Sequence, residues 1–110
     1  MNYEFKAVPS FAKDFKQLAK KNKHLATDFD NFLKDFDHAQ GAISSGTSGA
    51  QKIRMAATGK GKRGAYRIIY YLFYEHKIYL LKIYSKAIKE SITESEKKEI
   101  HQLIQMIKND

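Results

Sequence analysis

Lys60, Lys62, Arg63 and Arg67 fall within eight residues, interleaved with Gly59, Gly61 and Gly64. Cations at this density meet phosphate. A guanidinium grips a phosphoryl group through a fixed bidentate fork and does not lose its charge, which suits Arg67 to a clamp on developing negative charge. Lys60 and Lys62 allow two readings: crowded like charges lower one another's pKa and free a lysine for proton transfer, or the segment is a solvated hairpin loop of ordinary lysines. The glycines permit close approach of backbone to phosphate, but the G-x-x-x-x-G-K-[ST] pattern of a nucleotide-binding loop is absent. The chemistry open to such a set is metal-free cleavage of RNA, with a 2′-hydroxyl attacking the adjacent phosphorus. That reaction needs a group to take the 2′ proton, a group to stabilise the phosphoryl oxygens and a group to protonate the departing 5′ oxygen. Tyr84 is a candidate base-stacking group or proton donor, its phenol expected to be lowered by nearby cations; taken alone it also reads as an ordinary strand tyrosine.

The net charge of +8 resides in one stretch. Gln51 to Glu90 holds ten Lys/Arg against two acids, while the flanks sum to zero. An anionic partner is therefore expected, nucleic acid before acidic protein or membrane surface. There is no cysteine, and His24, His38, His76 and His101 lack zinc-site spacing, so neither a metal nor another cofactor is expected. Met1 to Lys6 contains no signal-type apolar run and no 18 apolar residues are consecutive, which reads as a cytoplasmic chain without membrane association.

The elements that must position these groups can be read from periodicity. Tyr3 to Val8 alternates as a short strand ending at Pro9, with Ser10 as expected N-cap. Phe11, Phe15, Leu18 and Ala19 mark an amphipathic helix to about Asn22; Leu25, Phe29, Phe32, Leu33 and Phe36 mark a second, paired with it as a helical hairpin. Lysines 13, 16, 20, 21 and 23 form a second basic strip on the first helix, read as a solvated face with ribosomal RNA contact as the alternative. Asp37 to Ala50 reads as a mobile Gly/Ser-rich linker. Lys52 to Ala56 is a half-buried strand, Ala65 to Tyr74 a central one with Tyr66, Ile68, Tyr70 and Leu72 on one face, and Ile78 to Tyr84 a last strand after a turn at Glu75–Lys77. Thr93 to Glu96 is a capping box opening a final helix with Ile100, Leu103, Ile104 and Ile107. The expected fold is one α+β domain spanning residues 1–110, ordered β-α-α-β-β-β-α, with a small antiparallel sheet packed on the N-terminal helical hairpin and a C-terminal helix. The opposite sheet face would gather Lys52, Arg54 and Arg67 with Lys82, Tyr84 and Lys86. Lys52 and Arg54, with Lys82, are expected RNA-binding residues that hold phosphates without reading sequence.

Lys52-Ile-Arg-Met-Ala, Gly59-Lys-Gly-Lys-Arg-Gly-Ala-Tyr-Arg-Ile-Ile-Tyr70 and Ile78-Tyr-Leu-Leu-Lys-Ile-Tyr-Ser-Lys86 together resemble the core of RelE/HigB-type toxins of bacterial toxin-antitoxin pairs. The resemblance extends to element order over nearly the whole chain. It implies a toxin that enters the A site of the 70S ribosome, cleaves messenger RNA and is neutralised by a cognate antitoxin. It also implies a catalytic set of Lys60, Lys62, Arg63, Arg67, Tyr84 and Lys86. Some relatives carry a histidine or an acid beside the terminal tyrosine; this chain has Tyr84-Ser85-Lys86, which leaves the general base unassigned. Two alternatives accompany this reading: a same-fold, non-enzymatic toxin of the gyrase-directed ParE kind, and a plain basic RNA-binding module.

Overall fold

The computed structural model describes residues 3–59 and 65–109. Its elements run β1 (Glu4–Ala7), α1 (Pro9–Lys21), α2 (Leu25–Lys34), a 3-10 turn (His38–Gln40), β2 (Ala42–Ile43), β3 (Gln51–Met55), β4 (Tyr66–Phe73), β5 (Lys77–Ser85) and α3 (Glu94–Lys108). The expected α+β class and element order hold, with β2 added. Helix α1 starts two residues earlier than an N-cap at Ser10 implied. Val8 is its N-cap and Pro9, with φ already fixed near the helical value, its first residue. The Ser10 hydroxyl instead donates to the Leu81 carbonyl at 3.3 Å, tying the helix to β5.

The five strands form one sheet in the order β1-β5-β4-β3-β2. Strands β2 to β5 are antiparallel, but β1 runs parallel to β5 with Glu4 opposite Lys77 and Ala7 opposite Leu80, so the sheet is mixed. Alternation identifies a strand but not its direction, and a first strand can dock on either edge in either sense. Central β4 is buried on both faces, with Ile68 and Ile69 both at 0 % exposure. Towards the helical hairpin, Ile53, Ile68, Tyr70, Ile78, Leu80 and Ile83 meet Phe11, Leu25 and the phenylalanines of α1 and α2. Towards α3, Ile69, Leu81 and Tyr84 meet Ile92, Ile100, Ile104 and Ile107. The second face, expected to gather the cations, is thus covered at its centre by α3.

A β-bulge alters what β5 presents. Ile69 pairs with Lys82 but Tyr70 pairs with Leu80, so Leu81 is an extra residue. The bulge resets the alternation, placing both Leu81 and Tyr84 in the α3 core although they are three apart.

The segment expected to be a mobile linker is packed. Thr47 is fully buried and its hydroxyl donates to the Ser44 carbonyl, while the Ser44 N–H reaches the Ala50 carbonyl at 2.9 Å. The turn passes through positive φ at Gly46 (79°), Ser48 (63°) and Gly49 (106°). Behind it, Tyr70 donates to Gln51 Oε1 at 3.1 Å and lies 3.0 Å from His38 Nδ1. Gly41 crosses this network so closely that a Cβ there would lie 2.0 Å from Tyr70 Oη. Small residues here mark close packing.

The capping box is present: Thr93 Oγ1 accepts from Glu96 N–H at 3.1 Å and Glu96 Oε1 from Thr93 N–H at 2.8 Å. No helix among the described residues is long and apolar enough to cross a membrane.

Candidate active site

The register of the central strands sets Arg54, Arg67 and Tyr84 in one transverse row. Arg54 on β3 lies directly opposite Arg67 on β4, which lies opposite Tyr84 on β5. Adjacent strands are about 4.8 Å apart, so the row spans roughly 10 Å across the middle of the sheet. Two guanidiniums directly across an antiparallel pair repel, and this arrangement opposes sheet stability. Asp28, Asp35 and Asp37 line a cavity of about 400 Å³ beside Arg54 and offset part of its charge. Arg54 is exposed and Arg67 half-buried on the central strand.

Tyr84 is 7 % exposed. Burial pushes its phenol above the ordinary tyrosine value; the Arg67 charge pulls the other way, and Glu96 adds to the rise. The expected lowering is therefore reversed, because packing under α3 outweighs the neighbouring cation. Tyr84 stays protonated at neutral pH, able to donate a proton and unable to act as a base. Lys89 Nζ lies 5.9 Å from its ring centroid, within cation–π range.

Lys52, two pairs further along β3, is exposed and lines a cavity of about 140 Å³ with Ile69, Tyr84 and Lys97. It therefore joins the same surface as the row. Lys86 continues the β5 ladder, its N–H bonded to the Ala65 carbonyl at 3.1 Å, but its ammonium turns to the Glu90 carbonyl at 2.7 Å. Lys60, Lys62 and Arg63 lie outside the described residues. The chain entering that segment is anchored where Thr58 donates its N–H to Asp28 Oδ2 at 2.8 Å.

Lys82 departs from its expected role. Its ammonium lies 3.1 Å from Asp14 of α1 and 3.0 Å from Glu96 of α3, and its side chain is only 15 % exposed. Lys82 stays on the face of Tyr84, opposite Ile69, and what occupies its ammonium is the pair of carboxylates brought in by α1 and α3. Burial alone would lower the Lys82 pKa, but the bonds to Glu96 and Asp14 raise it overall. Glu96 also binds Lys89. Asp14, Lys82, Lys89 and Glu96 thus form a clip joining both helical layers to β5 beside Tyr84. The capping box marked Glu96 as a helix start, and nothing in the spacing linked it to Lys82 or Lys89.

Among the described residues no group of His, Cys, Asp or Glu is arranged to hold a metal ion. No protein-family profile matches the chain. Among solved structures, the fold is similar to that of a double arginine-to-alanine variant of the E. coli toxin RelE in the free state, with a TM-score of 0.49 and 16 % sequence identity over 82 % of this chain and 90 % of that one.

Proposed function

We propose that the chain is a RelE-type toxin of a toxin-antitoxin pair, a metal-independent endoribonuclease that cuts messenger RNA in the ribosomal A site. The observation that carries the proposal is the Arg54–Arg67–Tyr84 row. Like charges set directly across β3 and β4, one exposed and one half-buried, oppose the pairing, and an anion placed between them relieves that cost. Sequence motifs resembling RelE/HigB-type toxins support the same reading.

In the proposed reaction the 2′-oxygen forms a bond to phosphorus, the bond from phosphorus to the 5′-oxygen breaks, and the proton lost at 2′-OH is balanced by one gained at the 5′-oxygen. Arg67 stabilises the phosphoryl oxygens, with Arg54 and Lys52 holding flanking phosphates. Tyr84, kept protonated by burial, protonates the leaving 5′-oxygen. Its raised pKa excludes it as the group that takes the 2′ proton; Lys60 and Lys62 are the candidates for that step. Such a site works by positioning, which a larger RNA-holding partner supplies. The cognate antitoxin would neutralise the toxin by covering this cationic surface, and both act in the cytoplasm.

The test is cleavage of a defined message with and without purified 70S ribosomes. Cuts that require ribosomes and leave 5′-hydroxyl ends are expected; equal cutting of naked RNA, or an intact message on programmed ribosomes, overturns the proposal.

A further inference from the structure

The transverse row does not end at Tyr84. Beyond it, at the edge of β5 past the last residue paired with β1, a groove of about 440 Å³ opens between α1 and the turn that follows β5. Leu18, Ile83 and Ile88 give it apolar walls, and Tyr84 closes its inner end. Ile88 is 74 % exposed, an apolar side chain projecting into water beside a charged surface. Lys20 and Lys21, both exposed, stand at the rim. Lys82 and Lys89 in the wall are held by Asp14 and Glu96, so the uncompensated positive charge of the groove comes from the two rim lysines.

We propose that this groove is a nucleotide subsite: it takes the base of the nucleotide next to the phosphate at Arg67, with Lys20 and Lys21 on the phosphate that follows. The inference rests on the proposed function and extends it to substrate contacts. Three observations select this occupant. A free inorganic anion has no use for the walls of Leu18, Ile83 and Ile88, whereas a base has a flat apolar face to lay on them. Gln17 and Ser85 line the same groove and supply polar groups for base edges. The groove also begins at Tyr84, which lies one strand, about 5 Å, across from Arg67, so one continuous phosphodiester chain reaches both. An acidic peptide would satisfy the lysines but lacks the flat aromatic face of a base, and it is the occupant that the poly-glutamate arm of the experiment tests.

The experiment is a methyl NMR titration of the whole chain with AMP, GMP, CMP and UMP, and separately with inorganic phosphate. At least one nucleotide is expected to shift the methyl signals of Leu18, Ile83 and Ile88 while phosphate alone does not. Lys20→Glu with Lys21→Glu should weaken that binding tenfold or more, and Ile88→Asp should abolish the shifts with the remaining spectrum preserved. Identical shifts from phosphate alone, shifts confined to residues around Arg67, or shifts produced by a poly-glutamate peptide but by no nucleotide would each overturn the subsite. Arg67→Ala separates the two proposals. Loss of ribosomal cleavage with nucleotide shifts intact supports both, whereas nucleotide shifts in a wild-type chain that cuts no message retain the subsite and remove the cleavage reading.

Discussion

Replacing Glu96 by glutamine keeps the side-chain shape and removes its charge. In the folded chain burial pushes the Glu96 carboxyl up, but the bond from Lys89, the Thr93 N–H and the Lys82 ammonium outweigh it and bring the pKa from 4.5 down to about 2. Each pKa unit is worth about 1.4 kcal/mol, so the shift sets a ceiling of about 3.5 kcal/mol on the stability the charge contributes. The carboxylate is 17 % and the Lys89 side chain 30 % exposed, and solvent screening reduces the expected loss to about 1–2 kcal/mol. For a domain of this size that lowers Tm by roughly 4–9 °C. The sign follows from a depressed folded-state pKa: the contribution is complete above about pH 4.5 and disappears as pH falls towards 2. Urea denaturation of wild type and Glu96→Gln at a series of pH values should therefore give midpoints well separated at pH 7 that converge in acid. Equal midpoints at pH 7, or a separation that does not shrink with acid, would refute the clip.

Gly41→Ala places a Cβ 2.0 Å from Tyr70 Oη and 2.8 Å from Gln51 Oε1; a loss of about 1–3 kcal/mol in denaturant unfolding is expected. Tyr70→Phe removes the donor to Gln51 and leaves half-buried polar groups without this partner, costing about 1–2 kcal/mol by the same measurement. The Tyr70 phenol, pushed up to about 12 by burial with Tyr3 and Asp37 adding to the rise, should be absent from the tyrosine population that ionises near pH 10 in a near-UV absorbance titration. Thr47→Val deletes the hydroxyl bonded to the Ser44 carbonyl in a fully buried site, and about 1–3 kcal/mol should be lost with faster proteolysis of the 44–50 turn.

Period and capping carried most of the fold. The two phenylalanine-marked helices, the doubly buried strand from Tyr66 and the Thr93–Glu96 box are local signals, each settled within a few residues. What stayed hidden depended on contacts between distant segments. The bulge at Leu81 is one residue that no alternation announces, and it adds Leu81 to the α3-facing core; the ion pairs of Lys82 with Asp14 and Glu96 join segments far apart in sequence. Gly- and Ser-rich composition suggested a linker between Asp37 and Ala50, yet small residues there serve close approach to Tyr70 and the burial of Thr47. Arg67, Arg54 and Tyr84 were legible as candidates, but their alignment in one row is a fact of register, and the burial that raises the Tyr84 pKa follows from α3 packing over the sheet.

Messenger RNA cleavage is the central claim, and mapping the 5′ ends of cellular messages after brief expression tests it most directly. Wild type should produce new ends inside translated regions within minutes, and Arg67→Ala, which keeps the fold but removes the clamp, should reduce them by about 100-fold or more. Messages that remain intact while growth stops, or ends that persist unchanged in Arg67→Ala, would contradict it.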